Sequence, residues 1–167
     1  MNTRALRIAV CALAASTVLQ IAVAPAHAED NTNVWTCWDV GGPPPDPDGD
    51  RPGHSLTYNR DLCRIESGPL AGGIATGDMT WEWDGLNGKE LTFTLIARKP
   101  GASAVLRGTT GGMTLIMTDG KITGITGSGR YDYVLTTGSW APLSGKSETW
   151  TFKGISPQDF SIEGKLE

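Results

Sequence analysis

The chain has 167 residues, with 14 basic and 18 acidic side chains and a formal charge of −4. Phosphate recognition depends on clustered lysine and arginine, and no such cluster exists here, so a nucleic-acid partner is set aside. The length corresponds to one domain, able to build a core without leaning on covalent staples.

Residues 1–28 read as a cleaved secretory signal. Arg4 and Arg7 supply a basic start, an apolar core runs from Ile8 to Val23, and Ala26-His27-Ala28 is a small-residue cleavage site. The apolar core is interrupted by Ser16, Thr17 and Gln20 and falls short of the ~20 residues that cross a bilayer. No later stretch is longer, so no membrane span is expected. Cys11 lies too early in the apolar core to serve as a lipid-anchored cysteine. Processing would leave residues 29–167 as a single domain of charge about −6, placed in the periplasm or released.

Two cysteines then remain, Cys37 and Cys63. In an oxidising compartment they have one possible pairing, closing a loop worth about 3 kcal/mol by chain entropy. Between them lies a loop at 41–54, rich in proline and aspartate and without a large apolar residue, which excludes a central strand. Asp46, Asp48 and Asp50 alternate as in the start of a calcium loop. Arg51 and Thr57 stand where that motif requires glycine and glutamate, so a solvated acidic turn is expected, with no metal. His54 is the single histidine after the signal. Zinc or haem would want more ligands, so His54 is expected at the surface and no cofactor is expected.

Beyond the loop the apolar residues alternate with period two, the signature of half-buried strands. Met79, Trp81 and Trp83 share one face, with Thr80, Glu82 and Asp84 on the other. Leu91, Phe93 and Leu95 follow, then Met113, Leu115 and Met117 with Ile116 out of phase. Tyr131, Tyr133 and Leu135, Trp150 and Phe152, and Phe160 and Ile162 complete the pattern. Asp84-Gly85, Asn87-Gly88, Pro100-Gly101 and Asp119-Gly120 suit tight hairpins, because Asn, Asp and Gly accept positive φ cheaply. The chain's 22 glycines all follow the signal and leave no room for a long helix. The expectation is an all-β fold: an antiparallel up-and-down or calycin-like β-barrel of about eight to ten strands, each of 4 to 8 residues. Repeated glycines within strands suit the bends of a barrel.

Motifs for nucleophilic or phosphate chemistry fail on their frames. Gly145-Lys146-Ser147 resembles the end of a phosphate loop, but Trp140 stands where that loop needs glycine. Gly127-Ser128-Gly129 is not a nucleophile elbow. No catalytic residue is assigned.

The run from Gly120 to Tyr131, GKITGITGSGRY, resembles a glycine-punctuated stretch of secreted bacterial proteins related to the allene oxide cyclase and dirigent barrels, with a looser echo at 72–77. That resemblance implies an eight-stranded antiparallel barrel with an apolar cavity, and carries over no catalytic residue. Six tryptophans follow the signal, and aromatic rings can floor an apolar pocket. The leading expectation is a non-catalytic barrel binding a small apolar or aromatic ligand through Trp81, Trp83, Tyr131 and Tyr133. One alternative is an isomerase or cyclase acting by cavity shape, which Glu82, Asp132 or Glu148 inside the cavity would favour. Another is an envelope or interaction protein with a filled core. Trp140, in a loop-like setting, is expected at a rim or on the surface.

Overall fold

Strand alternation decides the architecture, and hairpin chemistry decides its order. The computed structural model describes residues 31–167, apart from 43, 48, 49 and 157 and the side chains of 155 and 156. The proposed signal lies outside the described residues. The strands are β1 (Thr32–Gly41), β2 (Asp46–Pro47), β3 (His54–Ser67), β4 (Ile74–Asp84), β5 (Asn87–Lys99), β6 (Ala102–Thr118), β7 (Lys121–Gly138), β8 (Ser147–Ser156) and β9 (Asp159–Leu166). From β3 to β9 each long strand pairs antiparallel with the next, and β1 pairs with both β9 and β3. The sheet therefore closes into an eight-stranded antiparallel barrel, and closure removes the exposed edges of an open sheet. β2 is a two-residue bridge to Ser55 and Leu56 at the start of β3.

Most of the strands are longer than the expected 4 to 8 residues: β6 has 17 and β7 has 18, while β9 has 8. Gly127 and Gly129 lie inside β7 and keep their pairing with β6 and β8, so they do not end a strand. Asp119-Gly120 makes the β6–β7 turn with φ of 50° and 75°, the left-handed pair that a two-residue hairpin of type I′ requires. Asn87-Gly88 is not a turn. The reversal falls at Gly85-Leu86, and Gly88 pairs with Trp83. A Cβ on Gly88 would lie 2.9 Å from the Trp83 ring, so this glycine gives the indole its place.

Several bulges break the alternation, and two of them redirect side chains that matter to the interior. Thr80 pairs with Thr92 while Trp81 pairs with Glu90, leaving Leu91 as an extra residue on β5. Leu91 is thereby exposed, and Glu90 is turned toward the interior beside Trp81. On β7, Tyr133 pairs with Leu106 and Leu135 with Val105, so Val134 is extra and Leu135 lies outside.

Cys37 and Cys63 are register partners on β1 and β3 and form the expected disulfide across the loop that joins these strands. One end of the barrel is plugged. Leu70 from the β3–β4 loop, with Trp140 and Leu143 from the β7–β8 loop, packs over Ile65 and Trp35, all buried. Trp140 is only 1% exposed, not at a rim: its ring meets Gly73 and lies under the Lys99 ammonium at 4.9 Å. The 3-10 turn at Ala141–Leu143 folds this loop inward.

Candidate functional site

The opposite end of the barrel is open. There the inward faces of β1, β3, β4, β6, β7, β8 and β9 surround a cavity of about 540 Å³, which Gly42, Pro44 and Pro45 of the 41–54 loop also border. This volume falls within the range of small-molecule pockets. Trp81, Trp83, Met113, Leu115, Phe152 and Phe160 supply its apolar walls. Phe152 and Phe160 pack in a tilted pair with ring centroids 4.4 Å apart, while Trp81 and Trp83 stand 6.3 Å apart. The Trp83 indole N–H donates to Thr57 Oγ1 at 3.0 Å, which fixes the ring at the mouth.

One wall is polar. Asp39 of β1 and Asp61 of β3 are cross-strand partners and both line the cavity with Asn59. Asn59 Nδ2 donates to Asp39 at 3.0 Å, and the Gly41 amide donates to it at 2.9 Å. Asp61 is only 5% exposed. Burial, with the Asp39 charge a secondary cause, pushes the Asp61 carboxyl up to about 7. Among the described residues that line the cavity there is no lysine, arginine or histidine. Beneath it lies an annex of about 30 Å³ that shares Asp61, Trp81, Met79, Met113, Phe152 and Phe160 with the main cavity. Glu90 enters this annex through the Leu91 bulge, and burial lifts its carboxyl to about 7 as well. The Trp81 indole N–H is buried with no hydrogen-bond partner among the described residues.

The residues expected to line a pocket divide between the two ends. Trp81 and Trp83 border the cavity. Tyr131 reaches only the annex, and Tyr133 touches neither space. Both tyrosines instead serve Glu148, which is fully buried near the plugged end: Tyr131 Oη donates to it at 2.7 Å, and Tyr133 Oη also donates to it. Asn33 Nδ2 adds a third donor at 2.8 Å, and Asn33 Oδ1 accepts from the Leu70 amide at 2.9 Å. Burial raises the Glu148 carboxyl against these donors, and burial together with the Glu148 charge holds both phenols well above their ordinary range.

The other carboxylates weighed from sequence lie away from the cavity. Asp132 is partly exposed, near Arg130 and hydrogen-bonded by Ser147. Glu82 faces outward with Asp84, as strand alternation requires. His54 shares that outer face but is not a surface residue, being only 6% exposed. Its Nε2 meets Glu82 at 2.9 Å and its Nδ1 meets Asp50, while Arg51 bridges Asp50 and Asp84. The hydrogen bond to Glu82, then that to Asp50, raises the His54 pKa and favours imidazolium. The cluster pins the end of the 41–54 loop to the barrel wall. Asp50 is thus engaged by cations of the chain itself. Asp48 lies outside the described residues, and among the described residues no group of three or more histidine, cysteine or acidic side chains is arranged to hold a metal ion. No helix among them is long and apolar enough to cross a membrane.

Compared with known protein families, curated proteins and solved structures, the chain matches none.

Proposed function

We propose that this chain is a periplasmic or secreted barrel that binds a small ligand with an apolar or aromatic body in its open end, without catalysing a reaction on it. The observation that carries this reading is the asymmetry of the interior. Buried large side chains, Trp35, Ile65, Leu70 and Trp140 among them, pack one end, while the other keeps about 540 Å³ between Trp81, Trp83, Phe152 and Phe160. Native interiors pack to crystal-like density, so an apolar void of this size at a barrel mouth points to an occupant. The disulfide accords with an oxidising compartment. The resemblance of residues 120–131 to the allene oxide cyclase and dirigent barrels accords with the shape alone, because fold does not decide activity. A second reading, an isomerase or cyclase acting by cavity shape, draws on Asp61: a carboxyl titrating near 7 in an apolar site is suited to acid–base work.

The test is fluorescence titration with N-phenyl-1-naphthylamine, a neutral probe that brightens in apolar surroundings. The wild-type protein is expected to give saturable 1:1 binding with a blue shift. Trp83→Ala, which removes the ring at the mouth, is expected to abolish the signal while circular dichroism stays unchanged. Equal binding by a folded Trp83→Ala variant, or no saturable signal in the wild type, would overturn the reading.

A further inference from the structure

The cavity's polar wall is unusual in its sign. Three carboxyl side chains, Asp39, Asp61 and Glu90, border the cavity or its annex, and no basic side chain among the described residues borders either. The outer surface behaves differently: Arg51, Arg60, Arg64 and Arg130 each sit against a carboxylate there. Buried acids are ordinarily paired or hydrogen-bonded, because an isolated buried charge is costly. Asp39 meets this rule through Asn59 and Gly41. Asp61, nineteen-twentieths buried, and Glu90 have no hydrogen bond or ion pair among the described contacts.

We propose that the ligand carries a cationic ammonium head, which enters the annex bordered by Asp61 and Glu90 while its apolar body fills the mouth. Size fits: the annex of about 30 Å³ has room for a group as large as a water molecule, and an ammonium is close to that. The surroundings fit too. Trp81, Phe93, Tyr131 and Trp150 also border the annex, and aromatic faces attract cations most strongly where water is excluded. A cation arriving there would favour the ionised form of both carboxyls, opposing the burial that pushes each up to about 7. The same feature selects against fatty acids and other anionic amphiphiles, whose carboxylate would meet like charge. This assignment rests on the cavity reading above and names the class of its occupant.

Calorimetric titration with three probes of one shape separates the two claims: 1-naphthylmethylamine, 1-naphthylmethanol and 1-naphthoate, at pH 7.5. The amine is expected to bind at least tenfold tighter than the alcohol, and the naphthoate weakest of the three. Asp61→Asn is expected to bring the amine-to-alcohol ratio of affinities to within threefold of one. Glu90→Gln, which also borders the annex, is expected to narrow that ratio in the same direction. Equal binding of amine and alcohol by the wild type, tightest binding of the naphthoate, or an unchanged ratio in both variants would overturn the cationic assignment and leave the cavity reading standing. Failure of all three probes would remove both.

Discussion

Glu148→Ala is expected to cost about 5 kcal/mol of stability, a fall in Tm of roughly 15 °C, without touching the cavity lining. Glu148 is the acceptor for Tyr131 Oη, Tyr133 Oη and Asn33 Nδ2, and nothing else in that region replaces it for Tyr131. Each donor left unpaired in a dry interior costs about 1–3 kcal/mol. Losing a buried carboxylate gives part of this back, since its own desolvation disappears. Asn33 also holds the Leu70 amide, so the damage reaches the loop that plugs this end. Glu148→Gln keeps the shape and one acceptor oxygen, and is expected to cost less than half as much. Thermal unfolding of the two variants checks the order. A Glu148→Ala protein as stable as the wild type would show that the tyrosine cluster is not the tie between the plugged end and the barrel wall.

Asp61→Asn is expected to do the reverse, and only at neutral and alkaline pH. The folded carboxyl titrates near 7, against an ordinary value of 3.8. The folded state thus binds this proton more tightly than the unfolded chain, so the contribution of Asp61 to stability is most favourable in acid and falls as pH rises from about 4 to about 7. Above that window the full penalty remains, about 4 kcal/mol for a shift of this size. Asparagine carries no charge to desolvate, although its amide must still find partners. The variant is therefore expected to gain about 3 kcal/mol over the wild type at pH 8 and little or nothing at pH 4. Urea unfolding at the two pH values checks this. An equal difference at both would mean that Asp61 keeps an ordinary pKa and is open to solvent. A stability penalty retained at this one position is the kind of cost that binding sites carry.

The barrel and its staple were legible because each rests on a local rule. Period-two alternation placed Trp81, Trp83, Phe93 and Phe152 on an inward face, Asp119-Gly120 specified a hairpin, and the two cysteines outside the proposed signal allowed one pairing. The site was legible only in its walls. Asp61 could have been found: it lies two residues before Cys63 and four before Ile65, so alternation sends all three inward. Its charge concealed it, since aspartate in a strand is ordinarily read as a solvated face. Glu90 carried no such signal, because its inward turn depends on the Leu91 bulge, and bulges obey pairing between strands distant from any local pattern. Tyr131 and Tyr133 alternate correctly but lie too far toward the plugged end; alternation gives the face of a strand and not the height along a barrel. His54 and Trp140 were misplaced for a shared reason. Each is buried by the folding of its own loop, under Asp50 and Arg51 in one case and over Gly73 in the other.

The central claim is that the open half of the barrel receives an aromatic body. A crystal structure of the protein soaked with 1-bromonaphthalene tests it most directly, because the bromine reports its own position by anomalous scattering. The account predicts a bromine peak inside the cavity, among Trp81, Trp83, Phe152 and Phe160, with the plugged end empty of signal. A cavity closed by collapsed side chains, with bromine found only on the outer surface, would contradict it.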